Sequence, residues 1–237
     1  MREIQIECKD VSMSYDGKTI ITDVNFALCE GDYLCVVGEN GTGKSTLIKG
    51  LLSLKGVDSG SIKYLGDIKP CHIGYLPQLV NIRHNFPASV KEVVLSGCLN
   101  NSNHLFFTKV QKKKARKMAE KVGIKDIYNA PFSSLSGGQK QKVLLARALC
   151  SASKILLLDE PMASLDPVAT AEMYDLIGKL NKEGLTIIMV THDIMMATKN
   201  ATHILHLKHK PLFFGEKKDY IISSIGKEFL EGEDHLC

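Results

Sequence analysis

The chain has 237 residues, a formal net charge of +4 and 44% apolar residues, an ordinary composition for a globular protein with a substantial core. The charge is too small to indicate nucleic-acid binding, and the longest apolar runs, ILLL and IIMV, are far too short to cross a bilayer. Seven cysteines without a C-x-x-C pair, together with an N-terminus that lacks a signal peptide, indicate a soluble intracellular chain with reduced thiols.

The N-terminal segment has the period-two pattern of half-buried strands. Asp16-Gly17, a favoured hairpin turn, separates two such runs. We therefore expect a small antiparallel sheet here. The alternating apolar residues are Ile4, Ile6 and Cys8, then Val24, Phe26 and Leu28.

Three short apolar runs predict buried strands of a parallel sheet, at 33–37, 154–159 and 185–190. A helix with an apolar side follows the first strand. Asp166-Pro167 predicts the start of another helix after the second strand, and Gly184 its end. Strand, helix and strand in this order predict a right-handed parallel crossover. The apolar residues of the two helices are Leu47, Ile48, Leu51 and Leu52, then Met173, Leu176, Ile177 and Leu180.

The stretch 86–152 has no long apolar strand and predicts a mainly helical subdomain. Ser89 and Glu92 form a capping-box pattern, and residues 109–122 and 139–150 have helical character. We expect one domain over 1–225 that contains this subdomain, followed by a loosely attached tail over 226–237.

The motif GENGTGKS at 38–45 lies between a strand and a helix, as a phosphate-binding loop requires. Its glycines let backbone N–H groups turn toward phosphate oxygens. Lys44 supplies charge for the β and γ phosphates, and the Ser45 hydroxyl can bind Mg²⁺. The alternative is an ordinary glycine turn.

Polar residues follow the other two predicted strands, at the edge where open parallel sheets bind ligands. Asp159 is predicted to support the Mg²⁺ shell, and Glu160 to polarise the attacking water. His192 is predicted to contact the γ-phosphate. The alternatives are a solvated strand end and a structural histidine. Gln78, a single glutamine after a short apolar run, is by itself weak evidence for a functional site.

The stretch SSLSGGQKQKVLLARAL at 133–149 places two glycines at the head of a helix, where glycine lowers helix stability. A helix N-terminus can bind an anion. A second phosphate site is therefore one possibility, although the loop at 38–45 already provides one.

Together these motifs resemble the ABC-type ATPases over about residues 2–220. The resemblance rests on Tyr15, GENGTGKST, Gln78 in LPQ, LSGGQ, ILLLDEP, SLD and His192, in the order and spacing of that family. It implies an α/β fold: a P-loop NTPase core of ABC type with an N-terminal antiparallel β-subdomain and an inserted α-helical subdomain. It also implies ATP and Mg²⁺ as cofactors.

The resemblance further implies a head-to-tail pair of ATPase subunits, taken as two copies, with composite sites. Tyr15 would stack on adenine, and Gln78 would bind Mg²⁺ and sense water. Asp166 would couple the two sites across the dimer. Each chain's own nucleotide would be held by Gly38, Glu39, Asn40, Gly41, Thr42, Gly43, Lys44, Ser45 and Thr46. The partner's ATP would be contacted by Ser136, Gly137, Gly138 and Gln139.

Two departures from the family pattern are Lys142, where arginine is common, and Ser164, where alanine is common. Neither removes a catalytic group, so we expect a competent ATPase. Separate ATPase subunits are usual in bacterial importers of this family. That implies integral-membrane permease subunits, an extracytoplasmic binding protein, and a cytoplasmic location on the inner face of the membrane, with no nucleic acid.

The stretch 73–97, with its Phe-Pro pair, resembles ATPase subunits of zinc and manganese importers. The alternatives left open are an importer of another substrate such as iron-chelates, and a soluble ABC ATPase that acts on ribosomes or DNA.

Three other features carry less functional weight. The run HILHLKH at 203–209 is interpreted as a strand with surface imidazoles at His203, His206 and His209 rather than a metal site. The terminal HLC, with His235 and Cys237, is a weak metal pattern. The basic stretch 109–121 is interpreted as a solvated helix face rather than a surface for anionic headgroups.

Overall fold

The computed structural model describes residues 2–78, 87–99, 106–163 and 165–233, with side chains described as far as residue 230. The strands in these ranges are β1 (Ile4–Tyr15), β2 (Lys18–Cys29), β3 (Tyr33–Val37), β4 (Ser59–Tyr64), β5 (Ile73–Leu76), β6 (Ile155–Asp159), β7 (Thr186–Val190), β8 (His203–Lys208) and β9 (Lys210–Glu216). The helices are α1 (Lys44–Leu51), α2 (Val90–Ser96), α3 (Lys109–Lys121), α4 (Gly137–Ser151), α5 (Pro167–Lys182), α6 (Ile194–Asn200), α7 (Lys217–Ile222) and α8 (Ser224–Glu233).

The chain forms two compact units. Unit 1 consists of Met1–Pro70 with Asn181–Cys237, and unit 2 of Cys71–Leu180.

Unit 1 contains the predicted antiparallel sheet, in the order β2-β1-β4. Asp16 and Gly17 form the hairpin turn with φ of +48° and +75°, the left-handed region that such turns require. Cys8 pairs with Phe26, and both side chains are buried. The alternation in the sequence therefore marks the buried face of this sheet, as predicted.

Unit 1 also contains a parallel group of strands. β3 lies between β7 and β8 and runs parallel to both, and β9 pairs antiparallel with β8. Every residue of β3 and β7 is buried. Continuous apolar runs are expected where both faces of a strand are covered, and the predicted strands at 33–37 and 185–190 are confirmed within one residue.

His206 corrects the interpretation of HILHLKH as a strand with surface imidazoles only. It lies on β8 with 1% exposure, and its Nδ1 is 2.8 Å from the Tyr220 hydroxyl. The Phe229 ring packs edge-on at 4.4 Å between ring centroids. Because α7 and α8 supply these rings, the imidazole is covered. The part of the predicted tail over 226–233 is helical, and 234–237, with His235 and Cys237, lie outside the described residues.

In unit 2, β5 and β6 pair in parallel and helices α2, α3 and α4 lie between them in sequence. The predicted capping box is present, since Glu92 N donates to Ser89 Oγ and Ser89 N donates to Glu92 Oε2. The described residues between β5 and β6 contain helices and turns but no strand.

Helix α5 begins as predicted. Asp166 Oδ1 accepts hydrogen bonds from the N–H groups of Val168 at 3.0 Å and Ala169 at 2.9 Å, with Pro167 at the first helical position. The helix ends at Lys182, and Gly184 follows with φ of +96°. Within the described part of the chain, no helix is long and apolar enough to span a membrane.

Candidate active site

The loop between β3 and α1 needs glycine at two positions for steric reasons. Gly38 and Gly43 have φ of +145° and +103°. A Cβ at Gly38 would overlap the Leu207 carbonyl oxygen, and one at Gly43 would overlap Ile21 Cγ2. A left-handed backbone packed this closely admits glycine only, which leaves the loop's backbone N–H groups free of shielding side chains.

Lys44 and Thr42 hold this loop in its turned shape. The buried Lys44 ammonium donates to the carbonyl oxygens of Gly38 at 2.6 Å and Glu39 at 2.8 Å. The Thr42 hydroxyl donates to Glu39 O at 2.8 Å. Helix α1 begins at Lys44 with no side-chain cap and no acidic residue in its first turn. The N-terminal amides of α1 and the Lys44 ammonium thus lie at the same loop, and together they favour the binding of an anion there.

The neighbouring polar side chains differ in exposure. Ser45 and Asn40 are exposed, whereas Thr46 is buried. The Ser45 hydroxyl is therefore the accessible oxygen in the first turn of α1.

Tyr15, at the end of β1, is 39% exposed, so its ring is accessible to a ligand. Lys55 Nζ lies 4.4 Å and Lys49 Nζ 5.0 Å from its ring centroid, and Lys49 Nζ also donates to its hydroxyl at 2.9 Å. An accessible aromatic ring held by cations can stack on a planar ligand.

The phosphate-binding loop and His192 follow the C-terminal ends of two neighbouring parallel strands of unit 1. β3 and β7 pair in parallel with Val36 opposite Val190, and Thr191 N donates to Val36 O at 3.1 Å. The exposed His192 follows at once, before Asp193, whose carboxylate caps α6.

Unit 2 brings Gln78 and the two carboxylates together in the same way. Leu76 of β5 pairs with Leu158 of β6, so Gln78 and Asp159-Glu160 leave from one edge. The Tyr75 hydroxyl donates to Asp159 Oδ2 at 3.4 Å. Burial, followed by the Asp159 charge, raises the pKa of Tyr75 to about 12, so it remains a neutral donor.

Glu160 has a strained backbone, with φ of +48° in a non-glycine residue. The next residue, Pro161, is held by α4: Gln141 Nε2 donates to its carbonyl oxygen at 2.7 Å. Gln141 is 1% exposed, and its Oε1 has no hydrogen-bond partner among the residues that the structure describes. Sequence reasoning missed this residue. The sequence signal that could have identified it is its position four residues after Gly137. There it shares one side of the helix with the apolar Leu144 and Leu145, which predicts that it is buried.

The glycine pair lies at an open helix N-terminus. Ser136 Oγ accepts from Gln139 N at 3.3 Å, and Ser136 N donates to Gln139 Oε1 at 3.0 Å. Ser136 and Gly137 are exposed, and α4 has no acidic residue in its first turn. A Cβ at Gly138 would lie 3.1 Å from Ala169 Cβ on α5. This arrangement can receive an anion from outside the unit.

A family model described as ABC transporter matches residues 21–163, more than half of the chain. The chain belongs to the ABC transporter family. The manganese transport system ATP-binding protein MntB of Bacillus subtilis is 35% identical over 232 residues, which cover 94% of this chain and 92% of that protein.

Two further relatives have different named substrates. The zinc uptake system ATP-binding protein ZurA of Listeria monocytogenes is 35% identical over 224 residues, covering 91% of this chain and 87% of that protein. The phosphonates import ATP-binding protein PhnC of Fusobacterium nucleatum is 35% identical over 233 residues, covering 91% and 93%.

Family membership confirms the predicted fold class and activity. This chain is an ABC-type ATPase subunit that binds and hydrolyses ATP, with an antiparallel β-subdomain and an inserted set of helices. Lys142, one of the two departures from the family pattern, pairs with Glu172 at 2.6 Å and so links α4 to α5. Ser164, the other departure, lies outside the described residues.

Each unit carries side chains whose chemistry suits Mg²⁺. The Ser45 hydroxyl in unit 1, and the Asp159 carboxylate and the Gln78 amide in unit 2, offer oxygen atoms, the ligands that this hard cation prefers. In the described ranges there is no group of three His, Cys, Asp or Glu side chains that could hold a metal ion. Few protein ligands are expected where Mg²⁺ keeps water and nucleotide phosphates as its other ligands.

Proposed function

We propose that this ATPase binds Mg²⁺–ATP in its loop at 38–46 and hydrolyses it with Glu160 as the group that polarises the attacking water. The observation that carries the proposal is the loop itself, in which Gly38 and Gly43 are sterically required and Lys44 is buried. A charged, glycine-lined helix N-terminus of this kind binds phosphate groups.

The remaining groups of the site are assigned to the same nucleotide. Tyr15 stacks on adenine, and its exposure supports this role. Ser45 and Gln78 bind Mg²⁺, with Asp159 acting through a water. The His192 side chain contacts the γ-phosphate, which its position beside the loop's strand supports. Mg²⁺ supplies charge neutralisation for the phosphates when bound.

We further propose that two copies assemble head to tail, each contributing its LSGGQ segment to the other's ATP. The exposed, acid-free N-terminus of α4 supports this assignment of Ser136, Gly137, Gly138 and Gln139. Asp166 is exposed and caps α5, whose Ala169 lies close to Gly138. This position supports the assignment of Asp166 as the residue that couples the LSGGQ segment to the neighbouring subunit.

A cavity of about 480 Å³ on unit 2 supports a membrane partner. Its apolar lining includes Val93, Phe132 and Leu144, with Glu92 and Arg147 also present. We assign this cavity to a cytoplasmic segment of an integral-membrane permease. The chain would then work in the cytoplasm, on the inner face of the membrane, with an extracytoplasmic binding protein in the same complex.

The transported substrate is proposed to be a divalent metal ion such as zinc or manganese. The similarity to the manganese and zinc relatives supports this assignment, as does the resemblance of the 73–97 stretch, of which 79–86 lie outside the described residues. Phosphonate import is the second candidate, because the phosphonate relative has the same identity.

The test of the membrane partner uses a Glu160→Gln variant, purified with ATP from detergent-solubilised native membranes. Mass spectrometry should identify a polytopic membrane protein with the ATPase. Val93→Glu, which charges the cavity, should abolish this association, whereas Val110→Glu at an exposed position should not. Ribosomal or other soluble partners alone would contradict the importer assignment.

The test of the substrate compares cells that carry wild-type protein with cells that carry Lys44→Ala. The cellular content of zinc or manganese, measured by inductively coupled plasma mass spectrometry, should be lower in the cells that carry the variant. Unchanged metal content with lost growth on a phosphonate as sole phosphorus source would favour the second candidate.

A further inference from the structure

Two cysteines that are distant in sequence line one cavity of about 280 Å³ in unit 2. Cys98 follows the end of α2, and Cys150 lies in the last turn of α4. His72 and Lys114 line the same cavity, which we call the dithiol pocket. The ATPase site assigned above uses none of these four side chains.

The two helices approach each other closely at this pocket. A Cβ built at Gly97 would overlap the Arg147 carbonyl oxygen and lie 3.0 Å from Cys150 Cβ. Cys98 follows Gly97 directly and lines the same pocket as Cys150. Only glycine at position 97 allows this approach, which places one thiol beside the other.

Local hydrogen bonds hold Cys98 in place. Its carbonyl oxygen accepts from Gln111 Nε2 at 3.0 Å, and its Sγ lies 3.8 Å from Gln111 O. Its backbone N–H donates to Leu95 O at 2.9 Å. The residue thus bridges α2 and α3 and keeps its side chain at the pocket.

The two thiols differ in accessibility. Cys150 is buried, and its burial, reinforced by the neighbouring Cys98, raises its pKa, while Lys114 acts in the opposite direction. Cys98 is only half-buried. Cys98 is therefore the thiol that meets an oxidant first, and Cys150 is the resolving thiol.

We propose that Cys98 and Cys150 are a modification site at which hydrogen peroxide produces a reversible intramolecular disulfide. The Cys98 thiolate attacks one peroxide oxygen, the O–O bond breaks, and the leaving hydroxide takes up a proton to form water. The Cys150 sulfur then attacks the sulfenic sulfur of Cys98, the S–O bond breaks, and a second water leaves. Two thiols and one peroxide thus give one disulfide and two waters. A cellular dithiol reverses the reaction by exchange.

The bond would close a covalent loop from residue 98 to residue 150 that contains α3 and the LSGGQ segment. Cross-linking restricts the unfolded chain, so the oxidised form should be the more stable one.

The experiment treats the reduced full-length protein with hydrogen peroxide and measures its intact mass. We expect a loss of about 2 Da, which dithiothreitol reverses. Non-reducing tryptic maps should show the peptide 92–109 linked to the peptide 148–154. The melting temperature of the oxidised protein should rise by about 5 °C.

Cys98→Ser and Cys150→Ser should each abolish the linked peptide and the rise in melting temperature. Cys150→Ala replaces the second variant if the serine is not tolerated in this buried position. Cys71→Ser is the matched control, since Cys71 is exposed and lies outside the pocket. Recovery of both residues as alkylated thiols after treatment, or a linked peptide that contains Cys71 instead, would overturn the proposal. Neither result would affect the assignment of the ATPase site.

Discussion

Gln141 is the buried contact between the LSGGQ helix and the loop that carries Glu160. Its hydrogen bond to Pro161 O holds the residue next to a glutamate with a left-handed backbone. We expect Gln141→Met, which has a similar volume, to leave that carbonyl unpaired and to misplace the Glu160 carboxylate. The kcat for ATP hydrolysis should fall about tenfold while KM for ATP stays unchanged.

Steady-state kinetics over a range of ATP concentrations, together with a thermal melt, measure this effect. A merely structural role would lower the melting temperature and leave kcat per folded molecule unchanged. That result, or a rise in KM with normal kcat, would remove Gln141 from the positioning of Glu160.

Gly43 provides a second test at this scale. In Gly43→Ala the new methyl group meets Ile21 in a backbone conformation unfavourable to alanine, so ATP binding measured by calorimetry should weaken at least tenfold. Gly178→Ala is the control, because Gly178 lies in α5 with open space around it. It should bind ATP normally and gain about 0.5–1 kcal/mol of stability. Equal ATP affinity in both variants would contradict the steric account of the loop.

His206 predicts a pH dependence of stability. Burial lowers its pKa; Glu39 opposes this shift, and Lys208 and Lys44 add to it. The unfolded chain, with a histidine pKa of about 6.5, therefore takes up the proton first as pH falls. The titration of His206 therefore leaves the free energy of unfolding unchanged above about pH 7 and lowers it as the pH falls from there toward 5.

Urea denaturation at several pH values measures this decline. His206→Gln, which keeps a polar partner for Tyr220 and carries no charge, should show a shallower decline than wild type. His209→Gln, at an exposed position, should match wild type. Identical slopes in all three proteins would exclude His206 as the source.

The sequence allowed some of these residues to be predicted and not others. Lys44, Asp159 and Glu160 belong to motifs whose residue types and spacing predict a nucleotide-binding and hydrolysing site. The burial of His206 depends on Tyr220 and Phe229, which lie on helices α7 and α8, later in the chain. The role of Gln141 depends on a contact with Pro161, twenty residues away, and no local pattern reports such a contact.

At the scale of elements, α3 and α4 begin with the same type of capping box. Thr108 and Gln111 form one, and Ser136 and Gln139 form the other. Removing either hydroxyl should cost about 1 kcal/mol of stability. Only Ser136 is assigned to the partner's ATP, so the two caps separate a structural effect from a functional one.

Ser136→Ala should therefore lower ATPase activity by tenfold or more, whereas Thr108→Ala should lose similar stability and keep its activity. Urea denaturation and an ATPase assay on the same preparations measure both quantities. A similar loss of activity in the two variants would show that Ser136 acts only as a helix cap.

Element prediction succeeded where one physical signal dominated. β3, β6 and β7 are buried throughout, so their apolar runs stand out, and Asp16-Gly17 marks its hairpin. β4, by contrast, is a short polar strand, SGSIKY, whose position depends on pairing with β1. Most of helix α8 falls in the stretch that the sequence analysis predicts to be a loosely attached tail, although Ile225 and Phe229 have the i, i+4 spacing of a helix.

At the scale of the whole molecule, we propose that one chain holds two separate helix N-termini that bind the phosphates of two different nucleotides. In this proposal the loop before α1 holds the chain's own ATP, and the LSGGQ segment before α4 contacts the ATP of a second copy. ATP would then join the two copies, and hydrolysis would release them.

The most direct test measures the molar mass of Glu160→Gln by size-exclusion chromatography with light scattering, with and without saturating Mg²⁺–ATP. Loss of the group that polarises water should slow hydrolysis by about a hundredfold and leave ATP binding intact. We predict a monomer without nucleotide and a dimer with it. Adding Ser136→Ala or Lys44→Ala should abolish the shift. A protein that binds ATP by calorimetry yet remains monomeric would contradict the head-to-tail account.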